Sequence, residues 1–405
     1  MNGDASTQRE GAANATNASL EDVVDMPTPR PGPQMMPVPD ALVLTLRMTR
    51  TLKSRASVRA MEDVDALCAS SVLGRTLAED VESPVDVPAY RASIKDGYAL
   101  RANPEIAEPS GDDAEQRCVS LHVAGSARAG EETATRADKT DGVSFDASSS
   151  CVYITTGGAL PEYTDAVVMV EDVSLTEGGK RLKVPMKLYK QLTPGTDVRQ
   201  VGSDTKKGEV VLKRGTVICE SAMGLLASLG VQKVSVFALP TVAILSTGDE
   251  LVDATWQGDL QAGLVRDANR VMLRAMVVRV LGANAAAHTV DLGIVRDDVQ
   301  TTAERFRTMI DSGVDVLVCS GGVSMGDADC IKPALRLLGA TIHIERILMK
   351  PGKPLTFATL SIGDKSMLVF GLPGNPASSA VTFNLFVRPT LEELCSGGTG
   401  TQWRR

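Results

Sequence analysis

The chain has 405 residues, 43% of them apolar, and a formal net charge of −8. That length exceeds one ordinary domain, and that apolar share can fill several cores. The negative charge, the lack of a basic block and an aromatic content of 3% exclude a nucleic-acid surface built on phosphate contacts and base stacking.

Residues 1–39 are Ala/Asn/Thr-rich, then Pro-rich, and read as a disordered leader. It holds Asp4, Glu10, Glu21, Asp22 and Asp25 and no apolar signal core. From Ala41 to about Gly74 the apolar spacing predicts helix. Residues 40–85 together with 196–240 form a mixed helical linker domain. Residues 86–195 have short β-branched runs broken by Gly, Pro, Asp and Ser, which predicts an inserted all-β module. Its stretch 107–150 is polar and reads as loop.

After Pro240 strand and helix alternate. Strands are expected at 241–246, 287–294, 314–319, 341–348 and 366–370. Helices are expected near 268–281, 298–311, 329–338 and 376–394. That alternation predicts a doubly wound, mostly parallel α/β sheet over 241–394, followed by a short tail, 395–405. No apolar run reaches transmembrane length. The cysteines (Cys68, Cys118, Cys151, Cys219, Cys319, Cys330 and Cys395) are odd in number and form no C-x-x-C pair, as in a reduced, cytoplasmic protein. His122, His288 and His343 are too scattered for a zinc site.

In a doubly wound sheet ligands bind beyond the carboxyl ends of the strands. Five loops fall there: Thr247–Glu250, Arg296–Asp298, Gly321–Asp329, Met349–Pro354 and Gly371–Pro376. The Gly321–Gly326 stretch can aim N–H groups at phosphate oxygens, helped by the following helix N-terminus. Lys350 and Lys353 add positive charge. The carboxylates of the same loops, Asp327 and Asp329 among them, would repel an anion unless a hard cation lay between. Mg²⁺ meets that need, because it takes few carboxylates and bridges to phosphates. The alternative for Asp327 or Asp329 is helix capping. The ligand expected is an anionic phosphate bound through a divalent metal.

At these residues the sequence resembles the molybdopterin molybdenumtransferases of MoeA and gephyrin E-domain type. The matching stretches are 88–99 (PAYRASIKDGYA), 156–162 (TGGALPE), 165–171, 197–204, 245–251 (LSTGDEL) and 266–270 (RDANR), with the three later loops. The resemblance runs from about residue 40 to 394. It implies Mg²⁺-dependent insertion of molybdate into adenylylated molybdopterin, releasing AMP. It implies Glu250, Asp297 and Asp329 at the metal, and a phosphate held by Ser320, Gly321, Gly322, Ser324 and Gly326, with Asp327 beside them. It implies oxyanion contacts from Arg346, Lys350 and Lys353, and a substrate loop of Pro373, Gly374, Asn375 and Pro376. Asp96, Thr156 and Asp204 would face the α/β domain of a second subunit, so a homodimer is expected. A molybdopterin adenylyltransferase is the expected supplier of substrate. Two other readings fit the resemblance: that adenylyltransferase itself, which has a similar Ser-Gly-Gly loop, and a non-catalytic dimeric scaffold. The sequence departs from the family at Ala268, where Ser or Thr is usual, and at Arg346, where some members have Lys. The C-terminal β domain of the family is expected to be absent.

Overall fold

The computed structural model describes residues 35–53, 61–102, 118–130, 146, 148–323 and 329–397. They fall into two compact units, one of residues up to Val81 together with those from Leu212 onward, the other Glu82–Val211.

Among the described residues, the first helix of the first unit is α1 (Val38–Lys53). Where the apolar spacing predicts continued helix, the chain instead forms strand β1 (Met61–Asp65). The stretch Met-Glu-Asp-Val-Asp alternates in burial, and its edge is satisfied by an antiparallel partner far along the chain. That tertiary pairing overrides a weak local helix preference.

Glu82–Val211 holds β2 (Gly97–Leu100), β3 (Cys118–Ala127), β4 (Ser150–Ile154), β5 (Ala166–Met169), β6 (Ser174–Thr176) and β7 (Arg181–Pro185). They form one six-stranded sheet in the order β5-β2-β4-β3-β7-β6. Every pairing is antiparallel except β3 with β4. β3 lies inside a stretch expected to be loop. It is held on both sides by neighbours and buries Val119 and Leu121 in the core of this unit.

Back in the first unit, α2 (Glu220–Ser228) leads to β8 (Lys233–Phe237), the partner of β1. Then come β9 (Val242–Thr247), α3 (Ala268–Leu281), β10 (Thr289–Val295), α4 (Val299–Asp311), β11 (Val316–Ser320), α5 (Ile331–Leu337), β12 (Thr341–Ile344), β13 (Thr356–Ile362), β14 (Lys365–Leu372), α6 (Pro376–Thr382) and α7 (Arg388–Cys395). The sheet order is β10-β9-β11-β14-β13-β12. β10, β9, β11 and β14 are parallel, whereas β13 runs antiparallel to both its neighbours.

Alternate residues of each strand feed opposite cores, as the two-residue period requires. Val242, Ile244, Val316, Val318 and Phe370 pack against α1, α3 and α7 on one face. Ala243, Leu245, Leu317, Cys319 and Val369 pack against α4 and α5 on the other. Helices on both faces make the sheet doubly wound, as the alternation predicts.

Two details differ from expectation. β13 occupies residues read as connection; it folds back on β14 through a two-residue turn, with Gly363 at φ +62. The Phe357 and Phe370 rings, with centroids 4.9 Å apart and planes tilted by 34°, join the two strands. Such a pair contributes about 0.5–1.5 kcal/mol beyond its area. The final helix is broken into α6, a π-helical turn over Phe383–Val387, and α7 with Pro389 in its first turn. Pro389 lacks the N–H that an uninterrupted helix would use.

No helix among the described residues is long and apolar enough to cross a membrane.

Candidate functional site

The four parallel strands end at one edge, so the loops after β9, β10, β11 and β14 are brought together by the sheet itself. The loop before β13 joins them, because Thr356 at the start of β13 pairs with Gly371 near the end of β14.

Gly321 and Gly322 turn the chain sharply after β11, at φ +88 and +61. A Cβ on Gly321 would stand 2.3 Å from the Thr247 carbonyl oxygen, and one on Gly322 would stand 2.6 Å from Thr247 Oγ1. Both the backbone angles and the close approach to β9 therefore require glycine. The Gly321 N–H donates to Leu372 O on β14 at 3.1 Å. The turn is thus wedged between the ends of β9 and β14.

Asn269, in the first turn of α3, couples two of these loops. Its Nδ2 donates to Ser320 Oγ and to Gly374 O, each at 2.7 Å. Because a carbonyl only accepts, this contact fixes which way the amide faces. Asn269 Oδ1 is buried with no partner among the described residues. Next to it, Arg270 is buried and binds three carboxylates: Asp267 at 3.0 Å, Asp291 at 2.8 Å, and Asp253. Asp267 is also the N-cap of α3 and accepts from Ser246 Oγ on β9 at 3.1 Å. This cluster fixes the start of α3 against the strand ends.

The acidic side of the edge comes from the loops after β9 and β10. Arg296 donates to the Asp249 carbonyl at 3.0 Å, tying the two loops together. Asp298 caps α4 through Thr301 N, which leaves Asp297 to face its neighbours. The Asp297 carboxyl is pushed up first by burial, then by the negative charges of Asp249 and Glu250. Asp329 Oδ2 accepts from Lys332 at 2.8 Å, while its Oδ1 is buried without a partner among the described residues. Cys330 Sγ lies 3.8 Å from Asp297 Oδ1.

Other expected residues take simpler places. Asn375 is the N-cap of α6 and Pro376 its first residue. Lys350 and Lys353 are exposed and Arg346 half-buried, and none pairs through its side chain with a described residue. Ser324, Gly326 and Asp327 lie outside the described residues.

Two family models match this chain. The one for the MoeA N-terminal region (domain I and II) covers residues 36–230. The one described as "Probable molybdopterin binding domain" covers 243–393. A molybdopterin molybdenumtransferase of Haemophilus influenzae is 35% identical over 79% of this chain and 70% of its own length. The chain belongs to the molybdopterin molybdenumtransferase family. Its fold agrees with that of the MoeA protein from Pyrococcus horikosii, at a TM-score of 0.66 and 31% identity over 90% of this chain and 81% of that one. A gephyrin of Dictyostelium discoideum is 36% identical over 90% of this chain, and the chain spans 50% of that relative's length.

Do these residues fit a divalent cation? Among the described residues, no group of three His, Cys, Asp or Glu side chains stands ready to ligate a metal. Glu250, Asp297 and Asp329 therefore do not form a three-carboxylate cage. Mg²⁺ needs no such cage, since it keeps several waters and takes one or two carboxylates plus substrate phosphate. Asp297 crowded by Asp249 and Glu250, and the orphaned Asp329 Oδ1, fit that partial kind of site.

The other unit holds a separate constellation. β2 and β4 are antiparallel with Gly97 opposite Ile154. Asp96 therefore comes beside Thr156, and its Oδ1 accepts the Thr156 N–H at 2.6 Å. Gly97 is needed there because a Cβ would sit 1.9 Å from Val168 O. Asp204 pairs with Arg199 instead. The sequence motifs pointed to this pair, but they did not reveal the coupling roles of Asn269, Asp267 and Arg270. Their only signal was the run Arg-Asp-Ala-Asn-Arg opening a helix.

Proposed function

We propose that the chain acts in molybdenum cofactor biosynthesis by inserting molybdate into adenylylated molybdopterin, with release of AMP. What supports this reading above all is the convergence of the loops after four parallel strands. That edge carries a glycine turn on one side and Glu250 with Asp297 on the other, in a chain of this family. In this reading the N–H groups of Gly321 and Gly322 hold the pterin phosphate. Lys350 and Lys353, with Arg346, hold molybdate or phosphate oxygens, and the Pro373–Pro376 loop shapes the substrate cleft. Mg²⁺ held by one or two of the carboxylates Glu250, Asp297 and Asp329, together with substrate oxygens, would offset the charge of the pyrophosphate and polarise it. The protein works in the cytosol as a homodimer, in which Asp96, Thr156 and Asp204 serve the site of the second subunit. A molybdopterin adenylyltransferase supplies the substrate.

The test is AMP release by the purified chain given adenylylated molybdopterin, molybdate and Mg²⁺. Molybdate-dependent release that falls by about 100-fold or more in Glu250→Gln is expected, the scale of losing one key electrostatic group. Absence of release from the unmodified chain would refute the reading.

A further inference from the structure

Lys332 lies in the first turn of α5 and is only 8% exposed. An ammonium is strongly hydrated in water, and it enters an interior only where acceptors replace that water. Here they are two. Nζ donates to Asp329 Oδ2 at 2.8 Å and to Val323 O at 3.4 Å. Val323 directly follows the Gly321–Gly322 turn, and Asp329 stands just before α5. One buried cation thus fixes the acidic residue relative to the glycine turn. It engages one carboxylate oxygen only, and Asp329 Oδ1 stays buried and unpartnered among the described residues.

A purely stabilising role explains this arrangement poorly. A buried ion pair is on balance weak in stability, because desolvation offsets attraction. An orphaned carboxylate oxygen adds a further cost, unless a group beyond the described residues, such as a bound cation, meets it.

We propose that Lys332 is a positioning residue for Asp329: its ammonium orients the carboxylate so that Oδ1 can bind the divalent cation. The proposal rests on the function proposed above. Positioning and plain charge give opposite signs. Were Lys332 acting only as a positive charge, its removal would leave Asp329 fully negative and cation binding would tighten. If it orients Asp329, removal weakens cation binding, by about tenfold on the scale seen when a ligand's supporting partner is lost.

The experiment titrates Mn²⁺, as a spectroscopic stand-in, into the full chain carrying adenylylated molybdopterin, followed by electron paramagnetic resonance. Lys332→Met, Asp329→Asn and the double variant are compared after thermal melts show that each is folded. Lys332→Met is expected to raise the Mn²⁺ dissociation constant about tenfold. The double variant should bind Mn²⁺ no more weakly than Asp329→Asn alone, because Lys332 would act only through Asp329. Unchanged or tighter binding in Lys332→Met overturns the proposal, as does a double variant clearly weaker than Asp329→Asn. Should Lys332→Met not fold, Lys332→Leu, which likewise lacks both the donor and the charge, must show the same weakening. An unmodified chain that binds neither adenylylated molybdopterin nor Mn²⁺ sinks the functional reading as well. Binding that weakens in Asp329→Asn but stays intact in Lys332→Met sinks the positioning role alone, whereas binding intact in all variants also removes Asp329 from the cation site.

Discussion

Asp96 Oδ1 accepts the backbone N–H of Thr156 at 2.6 Å, a contact set by strand pairing rather than by sequence proximity. The hydrogen bond from the Thr156 backbone, then that from its side chain, hold the Asp96 carboxyl below its usual range. A depressed carboxyl contributes stability above its unfolded value, and that contribution fades as pH falls through the folded one. Thr156→Ala, which keeps the N–H, should leave most of the depression in place. Thr156→Pro, which removes the N–H, should return the carboxyl toward about 3.9. Carbonyl-carbon NMR titration of Asp96 reads both. Equal shifts in the two variants would contradict the assignment to the backbone donor.

Asn269 bridges residues 51 and 105 positions away, Ser320 and Gly374. Asn269→Ala deprives the Gly374 carbonyl and Ser320 hydroxyl of their common donor. It should cost about 1–3 kcal/mol, the penalty for leaving a buried acceptor unpaired. Urea unfolding measures this. In the same variant adenylylated molybdopterin should bind more weakly, because the loops after β11 and β14 are no longer tied. A variant as stable as the parent would show that water replaces the amide without loss.

Such long-range couplings explain which features the sequence disclosed. The parallel strands were legible because each is a short apolar run between turn residues, and their carboxyl ends carry glycines and acids. The glycine turn was legible because glycine has few other reasons to recur there. β13 was not, because a strand that returns antiparallel from a Pro-rich loop looks locally like connection. The Lys332–Asp329 pair has the spacing of any exposed helical ion pair, and only its burial marks it as different. Met61–Asp65 looks helical until Lys233–Phe237 is beside it.

Arg270 is the partner of a carboxylate that has almost no access to water, Asp267, which is 1% exposed. Arg270→Met should destabilise the fold by about 3–5 kcal/mol, because it leaves that charge buried and uncompensated. Adding Asp267→Asn should recover part of the loss, since the amide can still cap α3 and carries no charge. Asp253 lies at the exposed end of the cluster, its carboxyl drawn down to about 2, first by the Thr255 hydroxyl and amide and then by Arg270. In Arg270→Met the Asp253 carboxyl should therefore rise only partly. Chemical denaturation of the parent and the two variants tests the first claim and NMR titration the second.

Asp297 behaves oppositely to Asp96. Burial, then the charges of Asp249 and Glu250, raise its carboxyl above the usual value. A raised carboxyl favours the protonated folded state, so its contribution is fully present below the unfolded value and is lost as pH rises through the folded one. At neutral pH the ionised Asp297 should therefore be a burden on the cation-free protein. Asp297→Asn should raise the melting temperature at pH near 7, and the gain should shrink toward pH 4 (roughly the unfolded carboxyl value). Mg²⁺ should stabilise the parent more than the variant, because only the parent has charge there to offset. Melts across this pH range, with and without Mg²⁺, decide the matter. A variant less stable than its parent at neutral pH would mean that the Asp297 carboxylate is stabilised in the fold rather than strained.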